Sequence, residues 1–404
     1  MREVFFGWKV VGAAFVAALF AYGTGLYGPT VFLHALQKTQ GWTIATISAA
    51  VTVHFLVSAA AVSFLSEAHR RFGIAVVTRV GTALLCVGLL AWGWAQAPWQ
   101  LFGAAALTGA GYATMSGAGI IAMVSPWFER MRPIALSHAF NGASLSGVVF
   151  VPLWTFLIAK LGLGEATAIV SAAMLFVLWP LAGRFLRPSP HAMGLVPDGA
   201  AALGATTKPE RAPRPRRTLL LDRRFITLSA SFALGLFAQI GLVTHLVARL
   251  APGIGEAPAA ASISLATLCA IAGRMSLATM MDAVDRRVLT SINFATQAGG
   301  AALLAFGSSL PALLAGSVLL GLGVGNIVSL PPLIAQVEFD RADIPRIMGL
   351  VTAVNQTVLA FAPGVIGALH DATGGYVIPF ALAAAIQSLA AIVILLGRSM
   401  EKRG

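Results

Sequence analysis

Apolar runs of helical length, each closed by a short polar or Pro/Gly-containing break, recur twelve times along the chain. They fall at residues 8–33, 44–65, 75–95, 99–124, 134–158, 165–186, 226–248, 259–281, 288–307, 311–335, 347–369 and 376–397. A hydrocarbon core about 30 Å thick takes roughly 20 residues at a helical rise of about 1.5 Å each. The runs are rich in Ala, Leu, Val and Gly and lack period-two alternation, so they predict membrane-spanning helices rather than the strands of an outer-membrane barrel. Hydrocarbon offers the backbone no partners, and a helix satisfies its own N–H and C=O groups. The expected fold class is an all-α polytopic membrane protein with twelve transmembrane helices. The first run, entered through Phe5-Phe6-Gly7-Trp8, exceeds the roughly 7–15 apolar residues of a signal-peptide core and is expected to stay as a helix.

Composition narrows the class further. Of 404 residues, 58% are hydrophobic and 10% charged, against about 25% charged in soluble domains, which excludes a soluble enzyme. The net charge of +12 would suggest nucleic acid for a soluble protein, but here the placement of the charges matters more than their sum. With both termini on one side, 23 Lys and Arg lie on that side and three, Lys38, Lys160 and Arg249, lie on the other. The positive-inside rule makes the rich side cytoplasmic, in an inner membrane of bacterial type, with the lipid bilayer rather than nucleic acid as partner. Residues 184–224 carry six prolines and nine Lys/Arg. This segment divides the chain into an N-terminal bundle over 1–186, a cytoplasmic linker over 187–224 held at anionic lipid, and a C-terminal bundle over 225–404. Cys86 and Cys269 both sit inside apolar runs, which predicts neither a disulfide framework nor a metal site.

The two halves repeat. At an offset of 214, Arg132, Leu136, Ala139 and Asn141 match Arg346, Leu350, Ala353 and Asn355. Phe128-Glu129-Arg130 is similar to Phe339-Asp340-Arg341, and Arg70-Arg71 to Arg286-Arg287. Two parallel six-helix repeats are the organisation of the major facilitator fold, whose substrate site lies between the halves near the midplane. Six motifs carry a closer likeness: Gly7-Trp8; Gly41-Trp42-Thr43 with Ile47-Ser48; Trp127-Phe128-Glu129-Arg130-Met131-Arg132; the linker stretch from Pro190-His191 to Asp198-Gly199; Gly273-Arg274; and Asp371-Ala372-Thr373-Gly374-Gly375-Tyr376. Together they resemble the monocarboxylate transporter and oxalate/formate antiporter branch of the major facilitator superfamily, over nearly the whole chain.

The chemistry centres on one charge. An Arg at the middle of a bilayer helix costs roughly 2.5–3.5 kcal/mol and usually faces a polar cavity. Arg274 lies within the eighth run, two turns before Asp282, and its guanidinium is a planar fork that matches a carboxylate. The resemblance implies the same role, since an Arg at this place binds the substrate carboxylate in that family. All fifteen acidic residues fall in loops or near helix ends, so binding of sodium or cationic drugs lacks its usual ligand. In the animal members of that family an Asp four residues before the Arg is thought to take the coupled proton; here position 270 is Ala. His54, near the middle of the second run, is then the candidate for proton coupling, set against the reading of a neutral histidine bonded to a nearby hydroxyl. His34, His245 and His370 near the outer ends and His138 near the inner end are gate or loop residues.

Softer polar groups on helices that line the cavity in this fold complete the expected substrate site: Tyr22, Tyr27, Tyr112, Thr114, Asn141, Gln239, Asn326, Asn355 and Gln356, with Ser116 and Ser144 beside them. The superfamily's cytoplasmic motif is degraded, and Glu67, Arg71, Asp282 and Arg286 are the expected inner gate. No P-loop, zinc cluster or hydrolase elbow is present, so neither catalysis nor a cofactor is expected. The resulting expectation is a monomeric secondary transporter of a small organic anion, most simply a monocarboxylate, with H+ as the coupling candidate. The alternatives are an exporter of hydrophobic or drug-like compounds and, from another class, a membrane sensor that does not transport.

Overall fold

The computed structural model describes residues 5–197, 216–280, 284–327, 329–340 and 343–398. The chain divides into two compact units, Met1–Lys208 and Pro209–Gly404. The first holds α1 (Phe6–Gly25), α2 (Tyr27–Gln40), α3 (Ile44–Phe72), α4 (Ile74–Gly93), α5 (Pro98–Met115), α6 (Gly117–Val124), α7 (Arg132–Leu161) and α8 (Leu163–Phe185). The second holds α9 (Arg216–Leu220), α10 (Arg223–Ile254), α11 (Glu256–Met280), α12 (Arg286–Phe306), α13 (Leu310–Val324), α14 (Leu330–Glu338), α15 (Ile344–Ala360), α16 (Ala362–Thr373) and α17 (Val377–Leu396).

Eleven helical stretches among the described residues are long and apolar enough to cross a membrane. The tenth predicted run is the one left out, because a turn breaks it into α13 and α14; the first, fourth and eleventh runs are interrupted too, at Leu26, Ser116 and Phe361. Pro331 and Pro332 stand in the first turn of α14, where the missing N–H is tolerated while residue 330 is kept from continuing a preceding helix. Several helices outrun their apolar cores, α3 to Phe72 and α10 to Ile254, because helix persists beyond the hydrocarbon wherever polar residues can face water. Thr43 accepts from the Thr46 N–H, Asp222 from Arg224 and Asp285 from Arg287 and Val288, so α3, α10 and α12 begin on side-chain caps. Gly73 (φ 79°) and Gly255 (φ 86°) each join two spans through a single residue, a conformation that only glycine takes cheaply.

Lipid supplies no hydrophobic drive between helices, so close approach of small residues has to hold them together. A side chain at Gly88 would meet Ala104 and Thr108, and one at Gly111 would meet Gly81 and Leu85, where α4 packs on α5. The second unit repeats this contact where α12 packs on α13: Gly300 meets Gly316 and Leu320, and Gly323 meets Gln297. Positions 88, 104, 108, 111 and 85 thus correspond to 300, 316, 320, 323 and 297, each 212 residues on. Large apolar side chains such as Trp99, Phe176 and Phe306 are exposed, as lipid-facing positions require. Residues of two sequence motifs meet in the first unit, Trp8 against Phe128 at 5.1 Å and Phe6 against Trp127 at 5.2 Å between ring centroids.

One buried ion pair organises the arginine-rich end of the second unit. Arg287 is 2% exposed and directs Nε and one terminal nitrogen to both Glu338 carboxylate oxygens, at 2.6 and 2.8 Å. Its other bonds reach the Thr227 hydroxyl (2.9 Å) and the carbonyls of Ile394 (2.8 Å) and Arg224 (2.9 Å). All five N–H donors of the guanidinium are used, and α10, α12, α14 and α17 are joined. The first unit carries a lighter version: Arg79 of α4 donates to the Trp179 carbonyl of α8 at 3.0 Å and abuts Gly183, as Arg287 abuts Gly397.

Removing one member of such a pair strands the other, at a cost of about 3–5 kcal/mol. Arg287→Met is therefore expected to lower the thermal unfolding midpoint of the detergent-solubilised protein markedly. The double variant Arg287→Met, Glu338→Leu is expected to recover much of that loss; equal melting of the single variant and the parent would show that the pair contributes little.

Candidate functional site

In the second unit Arg274 stands on α11, one helical turn after Ala270. The side chain is partly buried, and its Nε donates to the Gly325 carbonyl at 3.2 Å. That carbonyl is available because α13 ends here. The N–H groups of Ser329 and Leu330 both go to the Asn326 carbonyl, at 3.1 and 3.0 Å, so Gly325 lacks the Ser329 N–H that a continuing helix would bring to it. Gly325 also lies directly on Ala270, whose carbonyl a side chain at 325 would strike. The absence of a carboxylate at 270 thus has a structural counterpart: two small residues let α11 and α13 close on each other.

A carboxamide network backs this turn. Asn326 donates to Asn293 Oδ1 on α12 at 2.9 Å and to the Leu322 carbonyl at 3.1 Å. Gln387 of α17 donates to the Gly235 carbonyl at 3.1 Å and approaches Gln297 Oε1 at 3.4 Å. Gln239 and Asn355 are buried, and the carboxamide oxygen of each has no partner among the described residues. Gln356, beside Asn355 on α15, is half-buried.

In the first unit the interrupted fourth span forms the counterpart. The extended backbone of Ser116 (φ −86°, ψ −161°) stops α5, and α6 begins at Gly117. The Tyr22 ring meets the Tyr112 ring edge to face at 5.5 Å. His54 is 1% exposed, 5.3 Å from the Tyr112 ring. Its Nδ1 lies 2.9 Å from the Thr108 hydroxyl, which itself donates to the Ala105 carbonyl at 3.1 Å. The hydroxyl therefore accepts from Nδ1–H, and Nε2, which has no partner among the described residues, is the unprotonated nitrogen.

The predicted substrate residues are thus brought together in part. Tyr22, Tyr112 and His54 form one cluster, and Arg274 and Asn326 flank one turn. Tyr27 is buried at the start of α2, Thr114 bonds the Gly111 carbonyl at 2.8 Å and fills the space over Gly81, and Asn141 and Ser144 stand on α7. Of the predicted gate, Glu67 pairs with Arg70 one turn on, with both side chains exposed. Arg71 lies over the Phe72 ring at 5.2 Å, Arg286 donates to the Leu333 carbonyl, and Asp282 lies outside the described residues, as do linker residues 198–215. Sequence reasoning passed over Asn293, Gln297 and Gln387. The signal was there, a carboxamide within an apolar run, but such residues are as often interhelical links as ligands.

The family model described as the Major Facilitator Superfamily matches residues 13–337. The chain belongs to the Major Facilitator Superfamily. Among curated relatives, monocarboxylate transporter 2 of Homo sapiens is 24% identical over 98% of this chain and 86% of its own length. Monocarboxylate transporter 13 of Rattus norvegicus is 26% identical over 94% and 86%. A crystal structure of the nucleoside transporter NupG shares the fold, with a TM-score of 0.71 at 13% identity, covering 98% of this chain and 99% of that one. This major facilitator protein is accordingly a multi-pass membrane transporter similar in sequence to monocarboxylate transporters, not an enzyme.

Proposed function

We propose that this transporter carries a small organic anion, a monocarboxylate, by alternating access, with the Arg274 guanidinium binding the carboxylate. The observation that carries the reading is the setting of Arg274: a cation on a membrane-spanning helix, its Nε fixed by the Gly325 carbonyl at a helix interruption. Interrupted helices in corresponding positions of two repeats are where transporters of this kind hold their ligands, and α5–α6 and α13–α14 fit that pattern. A single cation at this turn suits one carboxylate, whereas a dicarboxylate would favour two. Tyr22 and Tyr112 add apolar ring surface with few donors, which fits a short carbon chain. The names of the curated relatives point the same way. Both termini and the linker face the cytoplasm, in an inner membrane of bacterial type, a reading supported by the distribution of 23 basic residues against three. The coupled ion is H+, carried by His54.

Three experiments test these statements. Against a panel of organic acids, the parent protein is expected to show thermal stabilisation by a monocarboxylate that Arg274→Ala and Arg274→Lys both lose, Lys included because a point charge lacks the fork; a loss of about tenfold or more in affinity is expected from one charged hydrogen-bonded contact. Undiminished binding by the Ala variant would remove Arg274 from the site. A cysteine at Thr206 is expected to react with an impermeant reagent only after the cells are opened; labelling of intact cells would reverse the orientation. His54→Gln keeps size and hydrogen bonding but cannot titrate. It is expected to abolish accumulation driven by a pH gradient while substrate exchange survives, and unchanged accumulation would exclude His54 as the carrier.

A further inference from the structure

In the first unit α4 and α8 pack antiparallel along their length. Gly93 meets Gly164 and Thr167, and Cys86 and Ser171 each bond the other's carbonyl, at 3.3 and 3.4 Å. Counting seven residues from that contact puts the Arg79 backbone level with Leu178. The guanidinium lies beyond this level. Its Nε donates to the Trp179 carbonyl at 3.0 Å, its carbon stands 5.3 Å from the Trp179 ring centre, and Nη2 fills the space over Gly183. Gly183 is about 7 Å nearer than Leu178 to the arginine-rich end, at roughly 1.5 Å per residue. The side chain thus runs toward the headgroup level, as a charge on a lipid-facing helix does. Exposed tryptophans mark both interfaces of this helix pair: Trp179 lies beside Arg79, and Trp94 closes the other end of α4, about 22 Å along the helix from Arg79.

Arg79 is oriented but not neutralised. Among the described residues its Nε alone has a hydrogen-bond partner, and no carboxylate pairs with it. Glu67 is taken by Arg70, and Glu165 stands at the far end of α8. The contrast is with Arg287, which reaches Gly397, 214 residues after Gly183, and there meets both oxygens of Glu338 in a buried setting. Arg79 is only partly buried, and the side chains around it that lead into the membrane, Val80 and Val87 of α4 and Phe176 of α8, are exposed. Arg184, next to Gly183, is exposed as well.

We propose that the arginine-rich end of the α4–α8 seam is a binding site for one anionic phospholipid. The terminal nitrogens of Arg79 take two oxygens of the lipid phosphate, a geometry the guanidinium fork matches, and Arg184 adds a second cation at the same level. The acyl chains run along Val80, Val87 and Phe176. A lipid suits this place better than a soluble anion, because the guanidinium is flanked by hydrocarbon-facing side chains and a phospholipid phosphate already lies at that depth. The two repeats thus neutralise corresponding arginines by different means, the second with its own Glu338 and the first with a lipid. The site is separate from Arg274, and its occupancy does not depend on which substrate the protein carries.

The test uses the full chain in phosphatidylcholine vesicles with a rising fraction of phosphatidylglycerol whose brominated chains quench tryptophan fluorescence on contact. Brominated phosphatidylcholine gives the reference titration. Trp179 is one of eight tryptophans, so its share is read by subtracting from each protein the signal of its Trp179→Phe counterpart. At Trp179 the parent is expected to prefer phosphatidylglycerol about fivefold or more, the effect of roughly one basic residue at an anionic surface. Arg79→Gln is expected to abolish the preference and Arg184→Gln to reduce it, whereas Arg217→Gln, an equal loss of charge at an exposed position of the second unit, leaves it unchanged. Equal quenching by the two lipids in the parent, or a preference that Arg79→Gln leaves in place, would overturn the proposal. Should Arg79→Gln fold poorly, Arg184→Gln decides in its place, and an unchanged preference there overturns it equally.

Discussion

Hydrocarbon forms no hydrogen bonds, so a polar group carried into it has to find its partner inside the protein. Most of the internal arrangement follows from that constraint. Threonines within the spans bond back to their own helix, as Thr24 does to Phe20 and Thr82 to Thr78. The Trp154 indole reaches the Gly23 carbonyl, and Arg287 satisfies every donor it has. Where a span is interrupted the constraint changes sign, because the turn releases backbone groups that a continuous helix would have used. At the interruption after α13, Arg274 donates to the Gly325 carbonyl. The interruptions are thus the places where a membrane helix holds polar chemistry without stranding it.

The two units share a packing frame and differ in what hangs on it. Glycines 88 and 300, and 111 and 323, set the approach of equivalent helices. At neighbouring positions of that frame, Thr114 over Gly81 in the first unit becomes Asn326 bonded to Asn293 in the second, and Leu85 becomes Gln297. Backbone approach depends on small residues and tolerates no bulk, whereas the side chains beside them are limited only by having a partner. One unit has accordingly become aromatic around Tyr22, Tyr112 and His54, and the other amidic and cationic around Asn326 and Arg274.

Much of this was legible in the sequence. The apolar runs predict the spans because helix formation in hydrocarbon depends on local composition, and Arg274 stands out because a charge within such a run is costly wherever the run packs. The matched residues around Arg132 and Arg346 expose the repeat for a similar reason, since they recur at one offset. Less legible was the split of the tenth run at Gly325, although Pro331-Pro332 marked it. In the sequence Arg287 is one more basic residue beside a loop, because burial of its guanidinium depends on Glu338, Thr227 and Ile394, which lie 51, 60 and 107 residues away.

The sequence by itself determined the number and rough extent of the spans, the repeat and the placing of Arg274 within them, because each depends on the free energy of transferring local groups into lipid. Tertiary structure alone decided which polar residues are partners. His245 is the clearest case: in the sequence it is a lone histidine near a helix end, and in the fold it meets Tyr376 and Pro363, both more than a hundred residues away. A hydrogen bond needs two groups within about 3 Å at a restricted angle, and the packing of several helices, not the composition of any one, brings them there.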